Sequence, residues 1–158
     1  MTNTVTNVMF AGIGGQGIIL ASDLLSEIAF RCGFDVKKSE IHGMSQRGGS
    51  VSGDVRFGKK VYSPMIPEGE ADYLVVLSED QVEVCKNMIN EKTVILTPAI
   101  LGDFDPGKSL NVAMLGALNA GLKLDDKLWY ELLRTHFKGE LAENNITAFQ
   151  KGKASFNQ

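Results

Sequence analysis

The sequence predicts an α/β fold: a Rossmann-like three-layer domain with a mostly parallel sheet, an antiparallel hairpin at its margin and a helical C-terminal segment. Three observations carry that prediction. An apolar run over residues 8–11 enters a loop holding Gly12, Gly14, Gly15 and Gly17, and an apolar-periodic segment follows at once. Strand, glycine turn and helix, in that order, open many phosphate-binding α/β domains. Val51, Gly53, Val55 and Phe57 alternate with Ser52, Asp54 and Arg56, the pattern of a half-buried strand. Residues 72–77, Asp-Tyr-Leu-Val-Val-Leu, form a continuous apolar run, as expected of a strand covered on both faces.

The helix after the glycine loop is predicted over residues 16–32. Ala21, Leu24, Leu25, Ile28, Ala29 and Cys32 recur at helical spacing, giving one face to lay on a sheet. Gly33 is placed to end it, and residues 34–37 read as a short strand. The opening is then a β-α-β unit, with a right-handed crossover and parallel strands. Residues 39–49 form a polar loop with neither period, a kind of segment that often carries function. Beyond the alternating strand, Gly58, Lys59 and Lys60 turn the chain into a second short strand at 61–63, which makes the marginal hairpin. Residues 64–70 are an irregular connection.

Ser78-Glu-Asp-Gln81 has the form of a capping box. The Ser78 hydroxyl would accept from the backbone N–H three residues on, and Gln81 would reach back. The helix it opens turns Val82, Cys85, Met88 and Ile89 inward. Residues 93–97 are another strand, stopped by Pro98, and 99–108 are a loop rich in Gly, Asp and Pro. Residues 110–120 are apolar nearly all round, predicting a helix that is buried or clamped against a partner and ended by Gly121. Asp125 or Asp126 can cap the next helix. On it Leu128, Trp129, Leu132, Leu133, His136 and Phe137 share a face, so His136 reads as a core or interface histidine. A last helix is predicted over 140–150, with 152–158 fraying.

At 158 residues the chain reads as one domain, residues 1–158, long enough to bury a substantial core. Apolar content of 44% and charged content of 22% are ordinary for a soluble globular protein. A formal net charge of −3 argues against a general nucleic-acid binder. Cys32 and Cys85 lie far apart, and neither has a second Cys or a His at metal-ligand spacing. No iron–sulfur, zinc or other metal site is therefore expected, and both read as buried free thiols. Residues 1–7 lack the plan of a signal peptide, and no apolar run is long enough to span a bilayer. A cytoplasmic location without a membrane partner is expected.

Gly12, Gly14 and Gly17 satisfy G-x-G-x-x-G, with Gly15 and Gln16 between them. On one reading the loop and the N–H groups of the helix behind it bind an anion. On the other the glycines only make a tight strand–helix turn. In NAD-binding folds an acidic residue about twenty positions on takes the ribose hydroxyls. Here Lys37 stands at that place beside Lys38, and Asp35 and Glu40 only flank it. A lysine pair suits phosphates, such as those of coenzyme A, or an acidic partner surface, better than a ribose diol. In the polar loop His42 could relay protons. Arg47, followed by Gly48 and Gly49, could fork onto a carboxylate or phosphate. Both could instead hold the loop closed through backbone carbonyls. His42 is the sole catalytic candidate. No Ser–His–Asp or Cys–His set and no paired carboxylates stand out, so the chain is poorly equipped as a stand-alone enzyme.

Four blocks of sequence carry a family resemblance: Gly12-Ile-Gly-Gly-Gln-Gly-Ile18, His42-Gly-Met-Ser-Gln-Arg-Gly-Gly-Ser-Val51, Asn111-Val-Ala-Met-Leu-Gly-Ala-Leu118 and Glu143-Asn-Asn-Ile-Thr-Ala-Phe-Gln-Lys-Gly152. Together they resemble the gamma-type subunit or domain of the 2-oxoacid:acceptor (ferredoxin) oxidoreductases. The form of the second block is most similar to the beta subunit of indolepyruvate oxidoreductase. The resemblance implies a subunit, inactive alone, of an enzyme that decarboxylates a 2-oxoacid, such as indolepyruvate or another aryl pyruvate, to an acyl-CoA. It implies thiamine diphosphate with Mg²⁺, iron–sulfur clusters and coenzyme A in the holoenzyme, with no cofactor held tightly by this chain alone. The implied partners are one or more large subunits binding thiamine diphosphate and clusters, with ferredoxin as acceptor; a homodimer of the isolated chain stays open. Gly12, Gly14, Gly15, Gln16, Gly17, Lys37, Arg47, Gly48 and Gly49 become candidate anion, coenzyme A or interface contacts. A second reading is a non-catalytic anion- or nucleotide-binding domain or sensor on the same scaffold, and a third is a nicotinamide-dependent dehydrogenase. One departure stands out: residues 98–109 are a shorter connection than indolepyruvate-type subunits carry, so the sheet is expected to be one strand shorter and the substrate class stays open.

Overall fold

In the computed structural model, which describes residues 4–42 and 49–156, ten elements follow one another. They are β1 (Val5–Ile13), α1 (Ile18–Arg31), β2 (Asp35–His42), β3 (Ser50–Gly58), β4 (Tyr73–Val76), α2 (Gln81–Val84), β5 (Val94–Leu96), α3 (Leu110–Leu122), α4 (Asp126–His136) and α5 (Glu140–Phe156). The five strands form one sheet in the order β2-β3-β1-β4-β5. β4 pairs in parallel with both β1 and β5, whereas β3 runs antiparallel to both of its neighbours. Four strands thus point one way, with a hairpin at the margin, as the fold class required.

The hairpin is not the expected one. It joins β2 to β3, and residues 61–63 form no strand. The reason lies in side chains that take over the backbone of that segment. Asp35 accepts from the Val61 N–H at 2.8 Å and Asp54 from the Ile66 N–H at 3.0 Å. The Arg56 guanidinium donates to the Ser63 and Met65 carbonyls at 2.9 and 3.3 Å. Residues 61–66 are held across the face of the sheet instead of along its edge. β2 is longer than predicted, and β3 separates it from β1, so the opening β-α-β unit does not place its two strands side by side.

Alternation along the strands sends side chains to two unlike faces. Val8 and Phe10 of β1, Val55 and Phe57 of β3 and Val75 of β4 join α1, α3, α4 and α5 in the main core. Met9, Ala11, Leu74 and Val76 meet Ile66, Ala71 and Cys85 on the opposite face, with Val82, Met88 and Ile89 partly buried against them. That second layer is thin because α2 has four residues and gives way to a 3₁₀ turn, Lys86–Met88. The capping box expected at its start does not form: the Ser78 hydroxyl donates to the Asp80 carboxylate at 2.7 Å, and no side chain caps the helix.

α3 is buried from Asn111 through Ala120. Its clamp is α5 of the same chain. A Cβ on Gly116 would lie 2.8 Å from the Phe149 carbonyl carbon, and one on Gly152 would lie 2.7 Å from that of Ala113, so the two helices touch backbone to backbone. This contact carries α5 to Phe156, past the predicted end at residue 150. Gly121 does not end α3. Lys123, at φ 59°, ends it, while the Asn119 amide bonds both backbone groups of Leu124. Asp125 caps α4 by accepting from the Lys127 N–H at 2.9 Å. His136 is exposed, edge-on to Phe137, and not in the core. Residues 98–109 contain two 3₁₀ turns and no strand. Among the described residues no helix is long and apolar enough to cross a membrane.

Candidate functional site

Four residues, 14–17, carry the chain from the end of β1 into α1. So tight a reversal needs left-handed backbone at two points, and Gly15 (φ 92°) and Gly17 (φ 87°) supply it. Gly12 serves differently: a Cβ there would come within 2.7 Å of the Gln16 Oε1 and 2.8 Å of the Ile18 Cδ1. The space it leaves lets the Gln16 side chain fold back. Its Oε1 accepts from the Ile13 N–H at 2.8 Å and its Nε2 donates to the Leu77 carbonyl at 3.3 Å. One amide thereby ties the loop to the carboxyl ends of two adjacent parallel strands.

Two further bonds pin the loop from a distance. The Gly14 N–H donates to the Gly49 carbonyl at 2.9 Å. The Asn111 Nδ2, at the start of α3, donates to the Gly17 carbonyl at 3.3 Å, and its Oδ1 accepts from the Val112 N–H at 2.9 Å. A Cβ on Gly17 would overlap the Asn111 amide. The loop is therefore preorganised by three elements outside it.

The first intrahelical bond of α1 runs from the Ala21 N–H to the Gly17 carbonyl. This leaves the Ile18, Ile19 and Leu20 N–H groups without an intrahelical acceptor. No side chain caps the helix, and its first turn holds no acidic residue. These donors open on a cleft of about 310 Å³ lined by Ile13, Gly14, Gly15, Gly17 and Val51 with the first helical turn. Among the described residues no charged side chain lines it. Three converging N–H groups at the positive end of a fourteen-residue helix suit an anion such as a phosphate.

The structure gathers Gly12, Gly14, Gly15, Gln16, Gly17 and Gly49 at this site. It does not bring Lys37. That residue pairs across the sheet with Arg56, and Arg56 with Asn7, near the opposite end of β1. The expected twenty-residue spacing fails because β3 is inserted and β2 is displaced by one strand. Lys38 is engaged elsewhere, with Asp23 and with Glu40 at 2.9 Å. Burial pulls its pKa down, but those two carboxylates outweigh that and leave it raised. His42 closes β2 opposite Val51, which is itself opposite Gly12, so its backbone lies two strands from the loop. Arg47 and Gly48 lie outside the described residues.

Asn111 was not among the predicted site residues. Its signal was present, an amide at the first turn of a helix whose one other polar side chain, Asn119, stands near its far end. The thiols serve no joint purpose: Cys32 packs against the main core and Cys85 in the opposite layer. Burial, followed by the nearby Asp54 charge, pushes the Cys85 thiol up, which makes it a poor nucleophile. Among the described residues no three His, Cys, Asp or Glu side chains converge on a metal-sized site.

The family described as pyruvate ferredoxin/flavodoxin oxidoreductase matches residues 7–106. The indolepyruvate oxidoreductase subunit IorB of Thermococcus kodakarensis is 46% identical over 95 residues, covering 59% of this chain. The match spans less than half of that relative's own length, 46%. IorB of Methanothermobacter thermautotrophicus is 30% identical over 187 positions, covering 92% of this chain and 95% of the relative. Among solved structures, a 2-oxoglutarate:ferredoxin oxidoreductase from Magnetococcus marinus shares the fold, with a TM-score of 0.86 at 23% identity, over 99% of this chain and 32% of that one.

Proposed function

The chain belongs to the pyruvate ferredoxin/flavodoxin oxidoreductase family, and we propose that it is the small, gamma-type subunit of a 2-oxoacid:ferredoxin oxidoreductase, inactive by itself. The observation that carries this reading is the 30% identity to an indolepyruvate oxidoreductase subunit along nearly the whole of both chains. The substrate class is an aryl pyruvate such as indolepyruvate. In the assembled cytoplasmic enzyme, one or more larger subunits hold thiamine diphosphate with Mg²⁺ and the iron–sulfur clusters, and ferredoxin takes the electrons.

The contribution of this chain is to bind and orient. The Ile18, Ile19 and Leu20 N–H groups would hold a phosphate of coenzyme A, whose thiol accepts the acyl group in the assembled enzyme. Gln16 and Asn111 keep those donors fixed, so little reorganisation is needed when the anion arrives. Arg47, two residues before Gly49 in the sequence, would add a positive charge.

The experiment is co-expression with the thiamine-binding subunit, followed by viologen reduction with aryl pyruvate and coenzyme A. Turnover should require both chains. Turnover by the purified single chain would refute the reading. Arg47→Ala in the complex should raise the apparent KM for coenzyme A by a factor corresponding to about 1.5–3 kcal/mol, and Arg47→Lys should recover only part. Unchanged kinetics with a lowered melting temperature would make Arg47 a loop staple only.

A further inference from the structure

β2 is an outer strand of the sheet, and among the described residues no strand pairs with its free side. Along its eight residues that side presents unpaired backbone donors and acceptors. The charges on its two faces differ. Lys38, opposite Val55, points to the helical face and is bonded to Asp23 and Glu40. Lys37 points to the thin face, directly opposite Arg56. Like charges set opposite one another across a sheet are destabilising. No carboxylate bonds either member of this pair among the described residues. The Arg56 guanidinium bonds the Asn7 amide oxygen and the Ser63 and Met65 carbonyls, and half-buried Lys37 forms no ion pair. Asp54, the next residue of β3 on that face, feels the Arg56 charge but is buried and bonds the Ile66 N–H.

More positive charge gathers at this end of the strand, where Asp35 pairs with Gly58. Lys59 and Lys60 are exposed just beyond Gly58. The Lys60 Nζ lies 5.9 Å from the centre of the Tyr62 ring, and Tyr62 is 82% exposed. The Val61 N–H holds the Asp35 carboxyl below the ordinary range; burial opposes this, and the Lys37 and Lys60 charges add to it. A positive group thus stands on a chain of formal net charge −3, at the end of β2 remote from residues 43–48. The open edge suits an extended segment, and the local charge suits acidic side chains on it. Edge lysines also discourage indiscriminate strand pairing. Exposed Lys38 already serves that end, whereas Lys37 set against Arg56 adds a cost that such protection does not need. A second copy paired about Lys37 or Lys38 would set lysine against lysine.

We propose that an acidic, extended segment of the larger subunit adds to the sheet along the outer side of β2, its backbone pairing with that edge and its carboxylates meeting Lys37 and Lys60 beside Tyr62. The proposal rests on the subunit reading given above. The partner then supplies a sixth strand, and its carboxylates offset the repulsion between Lys37 and Arg56.

The test measures affinity between the full chain and the separately purified large subunit, amide hydrogen exchange in the complex, and thermal melting of the full chain alone. Binding should weaken as salt rises. Lys37→Glu sets opposite charges across the sheet, so it should hold or raise the melting temperature while weakening binding at least tenfold. A merely structural Lys37 would not separate those two readouts. Lys37→Arg should bind as the native chain does. Lys138→Glu, the same charge change at an exposed position beyond α4, should alter neither. Backbone amides over residues 35–41 should exchange more slowly in the complex than in the free chain. If Lys37→Glu binds as tightly as the native chain, or if those amides exchange equally fast bound and free, the proposal is overturned and the subunit reading stands. If Lys37→Glu aggregates while its soluble fraction binds normally, Lys37 only guards the edge and the proposal is overturned. If the native chain does not bind the large subunit at all, both fall. If the isolated chain sediments as a dimer with these amides already protected, the occupant is a second copy and the proposal is overturned.

Discussion

Phe10 and Met9 are neighbours on β1, yet they enter different kinds of interior. Phe10 and its companions Val55 and Val75 meet four helices, two of which touch backbone to backbone at Gly116 and Gly152. Met9, Ala11 and Val76 meet a four-residue helix, a 3₁₀ turn and a strap held down by side chains. The helical face is closed by apolar packing, dense enough to bury the Trp129 Nε1 without a hydrogen-bond partner among the described residues. The thin face contains a buried carboxylate, Asp54, and leaves an apolar rim in water. The contrast teaches where this chain is complete and where it is not. A sheet bearing parallel strands needs cover on both faces, and among the described residues only one face is fully covered by helices.

The largest expected effect compares the two neighbours directly. Phe10→Ala should cost about 3–5 kcal/mol in urea unfolding, and Met9→Ala about 2 kcal/mol, because the looser layer can close over the smaller vacancy. Equal losses would abolish the distinction between the faces. Next comes Gly116→Ala. In an ordinary helix interior this change stabilises by about 1 kcal/mol. Here the new methyl group would meet the Phe149 carbonyl of α5, and backbone cannot yield as a flexible side chain does, so a loss of about 3 kcal/mol is expected. A stabilised variant would show that α3 and α5 are not in backbone contact.

Gly17→Ala tests the loop that joins the two layers. Strain at φ 87° and the clash with Asn111 should together cost about 1–3 kcal/mol. Asn111→Ala in the same chain should recover the clash and leave the strain, giving a measurable coupling in a double-mutant cycle. Strict additivity would mean that Asn111 does not brace the loop.

The smallest effect belongs to Asp54. Burial holds its carboxyl above the ordinary range, against the opposing pull of the Ile66 N–H and of Arg56. Its charged form is disfavoured by folding, so it lowers stability at neutral pH. The folded state takes up the proton first as pH falls. The penalty is therefore relieved progressively from the raised value down to the ordinary value of 3.8. Asp54→Asn keeps an acceptor for the Ile66 N–H and removes the charge. It should stabilise by about 1 kcal/mol at neutral pH, with the gain shrinking toward zero as acid neutralises the native carboxyl. A gain independent of pH would mean that the carboxylate is not desolvated.

What the sequence by itself determined is local. The period of Ala21, Leu24, Leu25 and Ile28 specified α1 and its buried face, and the alternation from Val51 to Phe57 specified β3. The glycine turn and the Asp125 cap were legible because their hydrogen bonds close within a few residues. The loop's own side of the candidate site was readable for the same reason. Only the tertiary structure decided which strands are neighbours. Alternation states which face a side chain takes and says nothing about which strand lies alongside, so the insertion of β3 between β1 and β2, and with it the removal of Lys37 from the glycine loop, had no local signal. Residues 61–63 had the composition of a strand, but Asp35 and Arg56 claimed their backbone groups from a distance. Gln81 had the spacing of a capping residue and lost that role when Ser78 bonded Asp80. In each of these cases the deciding hydrogen bond or contact was one that the local pattern could not foresee, because a backbone group bonds whichever partner folding places nearest.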